Sequence, residues 1–171
     1  AFVGPELAGF VYSFPAVFKG ESCQHSHLLA VLPNFQGCGL GKALKWAQRE
    51  EAVKRGYRFI TWTDDPLQTR NANLNLQALG AVSRTYFPNF YGLVPALCLG
   101  SGIPTDRMLI EWPIRVNRVK LRSEGKARKS EYDTASLPKA QERKPGGEDP
   151  FHRPGRPNLW LDDEVILVEV P

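Results

Sequence analysis

The sequence predicts an α+β domain built on a central mixed sheet flanked by helices. Three observations carry this. Extended and helical patterns follow one another over residues 1–115 in the order strand, strand, helix, strand, helix, strand, strand. Between the second strand and the first helix stands "QGCGLG", with Gly37, Gly39 and Gly41 crowded into one turn of chain. Beyond residue 117 the apolar patterning stops and charge, Pro and Gly take over.

Each element has its own signal. "AGFVYSFPAVF" at 8–18 alternates as an extended strand does. "SHLLAVL" at 26–32 is a nearly continuous apolar run, the pattern of a strand buried on both faces, and Pro33 ends it. From Gly39 to Arg55, Leu40, Ala43, Leu44, Ala47 and Val53 follow helical spacing. Lys42, Lys45, Gln48, Arg49, Glu50 and Lys54 read as its solvated face, with Gly56 as the stop. "YRFITWT" at 57–63 is rich in aromatic and β-branched residues and predicts a strand. "DDPLQTRNANLNLQALG" reads as a turn, then a short helix ending at Gly80; Asp64 and Asp65 stand at a strand's C-terminal end, where α/β active sites often lie, and ahead of Pro66 they read as turn formers. "AVSRTYF", closed by Pro88, and "DRMLIEWPI" at 106–114 supply the last two strands. There is no internal repeat.

The divisions follow from composition: a domain over 1–117, a charged Pro/Gly-rich mobile segment over 118–157, and a strand-like segment over 158–171 that opens a further region. The middle segment has too little large apolar surface to offset its ordering entropy, and holds at most one short helix near 134–142. The chain begins at Ala1 in a strand-like stretch and stops on "EVILVEVP"; both ends read as cut.

Bulk properties narrow the function. The net charge of +4 is modest and scattered, which argues against nucleic acid and suits a small anionic ligand. Cys23, Cys38 and Cys98 form no C-x-x-C pair, as expected of reduced thiols in a cytoplasmic protein. No apolar run approaches the roughly 20 residues of a membrane span, and no secretory signal opens the chain.

The glycine loop admits three ligands. A P-loop fails because Ala43 stands where Ser or Thr must bind magnesium and Gln36 where the first glycine belongs. A dinucleotide fingerprint fits poorly, since Lys42 or Leu44 replaces its third glycine, although Asp64 lies where an acidic partner is expected. In the third reading a pyrophosphate is wrapped by successive backbone N–H groups at a helix start, with Lys42 adding charge.

"LAVLPNFQGCGLGKAL" resembles the acyl-CoA-binding motif of the GNAT (Gcn5-related N-acetyltransferase) superfamily. In that motif a strand ending in V-x-P leads through [QR]-x-x-G-x-[GA] into a helix, here Val31, Pro33, Gln36, Gly39 and Gly41. The following strand and "LQALGAV" extend the likeness over roughly residues 8–114. The resemblance implies a GNAT-like acyltransferase fold whose N-terminal elements, the first strand and first two helices, precede residue 1. It implies acetyl-CoA (CoA) as cofactor, with pantetheine amides on Leu29, Ala30 and Val31. The pyrophosphate would lie over Gly37, Cys38, Gly39, Leu40, Gly41 and Lys42, in a loop shaped by Gln36.

The resemblance further implies an N-acetyltransferase acting on a small-molecule or peptide amine, with no membrane partner and room for a homodimer. A carboxylate on the fourth or fifth strand often serves as base and a helix tyrosine as acid; here Leu76 holds the tyrosine position and Thr69 that of a cofactor-binding asparagine. Asn71 and Asn75 share a helix face and would replace the lost cofactor contact, or else face solvent or cap. Tyr86 and Tyr91 are candidate acids, or else buried aromatics. His25 and His27, two residues apart on one side of a strand, offer a base at His25; no partner at ligand spacing supports a metal. The departures at Thr69 and Leu76 keep open a catalytically inactive CoA-binding sensor or scaffold.

Overall fold

The computed structural model describes residues 1–92 and 105–126, together with four short strand segments between 139 and 168. The chain divides into two compact units, Ala1–Ala127 and Arg128–Pro171. The first opens with a small hairpin, β1 (Phe2–Val3) and β2 (Glu6–Leu7). It continues through β3 (Gly9–Phe18), β4 (Glu21–Val31), a short 3-10 turn at Pro33–Phe35, and α1 (Leu40–Lys54). Then come β5 (Phe59–Asp64), α2 (Thr69–Ala72) running into a π-helical stretch at Asn73–Ala78, β6 (Val82–Phe87), β7 (Arg107–Pro113) and α3 (Asn117–Ser123).

Five strands form one mixed sheet in the order β3-β4-β5-β7-β6, with β4 and β5 parallel and every other neighbour antiparallel. A parallel pair needs a crossover, and α1 supplies it. The core lies on the side of the sheet that α1 covers. Alternation along β7 sends Ile110 and Trp112 into it, where they meet Ile60, Trp62, Leu79 and Val119. Trp112 packs against Trp46 and, edge-on, against Trp62, and its indole N–H donates to the Leu79 carbonyl. Fully burying such a side chain contributes roughly 1.5–3 kcal/mol. On the opposite face Glu111 is buried as an ion pair with Lys19 and Arg84, which reach it from the β3–β4 turn and from β6.

Two features of β4 set the stage for function. Its pairing with β5 consists of Gln24↔Ile60 and His25↔Thr61 only, whereas β5 stays paired with β7 as far as Asp64. The strands therefore fork after His25. On its other edge the register with β3 steps from Tyr12↔Leu28 to Ser13↔Ser26, so His27 is the extra residue of a β-bulge.

Several expectations need correction. The run at 26–32 is not a strand buried on both faces: β4 starts at Glu21, and Leu28 is 51% exposed because the fork removes its β5 neighbour. Asp64 is no turn former but the last residue of β5, paired with Met108; Asp65 does form the turn, accepting from the Leu67 N–H. Lys45 and Gln48, expected on the solvated face of α1, are buried, and Ala43 and Ala47 are exposed instead. Helix α3 runs past the composition change at 117 and inserts Val119 into the core, so the first unit reaches Ala127. In the second unit Lys139–Gln141 is a strand, parallel to Leu167–Val168, where a helix was expected; the rest of that helix span lies outside the described residues.

Candidate functional site

The glycine loop joins the open end of the fork to α1. Gly37 and Gly39 have φ of 79° and 85°, left-handed values that favour glycine, and a Cβ at either would meet nothing within 4 Å. The space above the loop is therefore open, and only the backbone approaches it. Gln36 Nε2 donates to the Val31 carbonyl at 2.9 Å, fastening the loop to the end of β4, and Cys38 Sγ to the Phe35 carbonyl. A cleft of about 660 Å3 lies between this loop and the segment carrying Gln68, Asn71 and Leu74. Lys42 and Arg70 both line it, with Val31, Gly37, Gly39 and Gly41. Two cations over exposed amides at a helix start form a setting for phosphates.

Inside the fork the character changes. Ser26 and Trp62 are the first residues past the last β4–β5 pair, and Lys45 of α1 stands between them. Its ammonium donates to Ser26 Oγ at 2.7 Å and to Gln48 Oε1 at 3.3 Å, and lies 3.8 Å from the centre of the Trp62 ring. The lysine is 3% exposed, and burial pushes it down to about 7 against the pull of the Asp64 carboxylate. Among the described residues no carboxylate lies within ion-pair distance of it.

Asp64 is 7% exposed and accepts from Asn75 Nδ2 at 2.8 Å and Asn71 Nδ2 at 3.3 Å. Burial raises its carboxyl, and the two amide bonds pull the other way. With Lys45, Ser26, Trp62 and Asn75 it lines a cavity of about 260 Å3 in the fork. It also lines a second cleft of about 600 Å3, together with His25, His27, Phe90, Tyr91 and Arg107. Asp64 is thus common to both.

The structure gathers the expected residues unevenly. Val31, Gln36, Gly37, Gly39, Leu40, Gly41, Lys42 and Asn71 line the loop cleft, and Leu29 lines the fork cavity. Ala30 lies on the open reach of β4, and Cys38 is exposed in the loop. Asn75 sits on Asp64, buried in the fork. His25 and His27 stay together, their rings 6.5 Å apart beside Phe14. His25 Nδ1 is 3.2 Å from Thr61 Oγ1, and burial, then the charges of His27 and Lys45, hold its pKa low. Neither tyrosine is a buried aromatic: Tyr86 is 53% and Tyr91 55% exposed. Tyr91 lines the second cleft and reaches Thr63, whereas the Tyr86 hydroxyl donates to Asp106 and lines none of the three cavities. Among the described residues no three His, Cys, Asp or Glu side chains cluster as metal ligands, and no helix is long and apolar enough to cross a membrane.

Sequence reasoning missed Lys45, Ser26, Trp62 and Arg70. One signal for Lys45 was available: it precedes Gln48 by three and Ala52 by seven, the spacing of one helix face.

The chain matches the Acetyltransferase (GNAT) family over residues 1–80. By sequence no curated protein matches it. Among solved structures it is similar to a GNAT family acetyltransferase from Elizabethkingia anophelis with acetyl-CoA bound, at 22% identity and a TM-score of 0.56, over 66% of this chain and 72% of that one. A Bacillus subtilis acetyltransferase in complex with CoA is 19% identical, with a TM-score of 0.56 and the same coverage. The NatC complex bound to Gag peptide and CoA is 14% identical, with a TM-score of 0.52 over 62% of this chain; the chain spans 60% of that one. These likenesses establish the fold.

Proposed function

We propose that the chain is a GNAT-type N-acyltransferase that moves an acetyl group from acetyl-CoA to an amine, a reading supported by its match to the acetyltransferase (GNAT) family over residues 1–80. One observation carries the reading: β4 and β5 part after a single stretch of pairing, and the open-backbone glycine loop stands at the mouth of the gap. The residues fit acetyl-CoA. The edge of β4 around Leu29, Ala30 and Val31 has no β5 partner and offers main-chain groups to pantetheine amides. The loop amides from Gly37 to Lys42, with Lys42 and Arg70, face the phosphates, and Asn71 borders the same cleft. Bound there, the thioester supplies an activated acyl group.

Asp64 is the general base. It borders both the fork and the second cleft, Asn71 and Asn75 orient its oxygens, and burial makes it a stronger base than an exposed carboxylate. The second cleft receives the acceptor. His25, held neutral there by burial, and Tyr91 border the incoming amine. The acceptor is a small-molecule or peptide amine, and the cytoplasm, with its acyl-CoA pool, is the compartment that suits Cys23 and Cys38 as free thiols.

Calorimetry with acetyl-CoA and CoA tests the reading: binding of both is expected, and a folded protein that binds neither ends it. Thiol release with a panel of amines then separates an enzyme from a CoA-binding sensor or scaffold. Leu76 is what favours the sensor, since it fills the usual acid position with an exposed apolar side chain. CoA binding without turnover on any amine would decide for it.

A further inference from the structure

We propose that Lys45 is the acid of this acyltransferase, the group that meets the CoA sulfur and gives it a proton as the thiol leaves. The inference rests on the acyl-CoA reading of the fork and goes beyond it.

The position of the lysine carries the argument. A chain entering from the glycine loop and following the free edge of β4 runs from Val31 toward Ser26. At roughly 3.3 Å per residue that is about 16 Å of strand. It ends where β4 and β5 close together, so the reacting end of the ligand lies at the closed end of the fork. The polar and aromatic side chains there include Ser26 and His27 of β4, Trp62 and Asp64 of β5, Asn75 of the π-helical stretch, and Lys45 of α1. Lys45 is the one lysine or arginine among them. Its contacts are a hydroxyl, an amide oxygen and an aromatic face, none of which neutralises it. A buried ammonium held only by neutral groups is costly, and a fold that keeps one has an anion to meet. The leaving thiolate is such an anion, formed at that place.

The alternatives for the acid are poorly placed. Leu76 occupies the usual position, Tyr86 is held by Asp106 away from the fork, and Tyr91 stands in the second cleft beside Thr63. The titratable groups whose charge reaches Lys45 are Asp64 on β5 and His25 on β4; Asn75, which packs from the helical side, does not titrate. Burial brings the ammonium close to neutrality, where it can both give and regain a proton.

The transfer balances. The acceptor nitrogen forms the new C–N bond, the C–S bond breaks with its electron pair on sulfur, and Lys45 Nζ protonates the sulfur. The proton lost by the acceptor nitrogen goes to Asp64. Its passage from Asp64 to Lys45 within the cavity that both line restores the starting state.

CoA alone is the probe, so no acceptor is needed. The ionisation of its thiol is followed by ultraviolet thiolate absorbance across pH, free and bound, with affinity measured in parallel. In the wild-type protein the bound thiol is expected to ionise about one pH unit or more below free CoA, because sulfur and Lys45 titrate as a coupled pair in which the thiolate keeps the ammonium charged and the ammonium favours the thiolate. In Lys45→Met the thiol returns to the free value or rises above it, while CoA still binds. A wild-type complex whose bound thiol ionises no lower than free CoA overturns the proposal without any variant; so does a Lys45→Met protein that keeps the lowered value. Those results leave the acyltransferase reading intact, whereas failure of the wild-type protein to bind CoA ends both.

Discussion

The two ends of the β4–β5 fork are made differently. The loop end is built from backbone: two left-handed glycines, a helix start, and two exposed cations lining a cleft. The closed end is built from buried side chains of four elements, with an ammonium and a carboxylate both driven toward neutrality by burial. Holding a fixed anionic handle needs donors and room. Moving protons needs groups that can change charge, and those come from desolvation. The difference implies that changes at the closed end alter rate and spare CoA affinity, and that changes at the loop end do the reverse.

The largest expected effect is at the closed end. Asp64→Asn keeps an acceptor oxygen for one of its two amide neighbours, sets its own NH2 against the other, and cannot take a proton. Turnover on an amine found in the panel should fall by roughly 10²-fold or more, with acetyl-CoA affinity within about twofold. Steady-state kinetics beside calorimetry check this. If affinity and rate fall together, the division of labour along the fork is wrong.

Gly39→Val comes next. At a φ of 85° a β-branched residue costs about 1–2 kcal/mol, and its side chain enters the space above the loop. The expected result is roughly 10- to 100-fold weaker acetyl-CoA binding, with the fold retained. An unchanged dissociation constant would show that the loop is not where CoA is held. Arg70→Ala and Lys42→Ala are smaller, a few-fold each at low salt and fading as salt rises, since both cations face an open cleft. A calorimetric series in salt reads this, and a salt-independent loss would mean that they act by packing.

The same contrast explains what could be read in the sequence. The strand order, α1 and the loop were legible because glycine spacing, Pro33 and helical periodicity are local, and the backbone does the binding there. The fork was not. Whether β4 and β5 pair beyond His25 depends on contacts between segments more than thirty residues apart, and an apolar run such as "SHLLAVL" looks the same paired or parted. Lys45 and Asp64 were misplaced for one reason. Charged residues usually seek water, and the sequence contains no sign that Ser26, Gln48, Trp62, Asn71 and Asn75 would gather to receive them.

The last prediction asks what the closed end costs the fold. In the folded protein Lys45 sits at about 7, far below its ordinary value, so between that pH and about 10 the unfolded chain holds a proton that the native chain does not. Stability from this group must then rise with pH across that window, and its burial penalty is greatest below it. Asp64 works in the opposite sense at acid pH: its raised carboxyl binds a proton more readily when folded, and its contribution weakens as pH climbs through the carboxylate range. Replacing Lys45 by Met removes the first slope and leaves the second. Thermal melts from pH 6 to 9 should find the variant the more stable at pH 6, by several degrees, with the gap closing toward pH 9. A variant less stable at pH 6 would mean that the ammonium is held by more than a hydroxyl, an amide and an indole. The closed end would then be a structural anchor, and its resemblance to a proton-transfer site would be incidental.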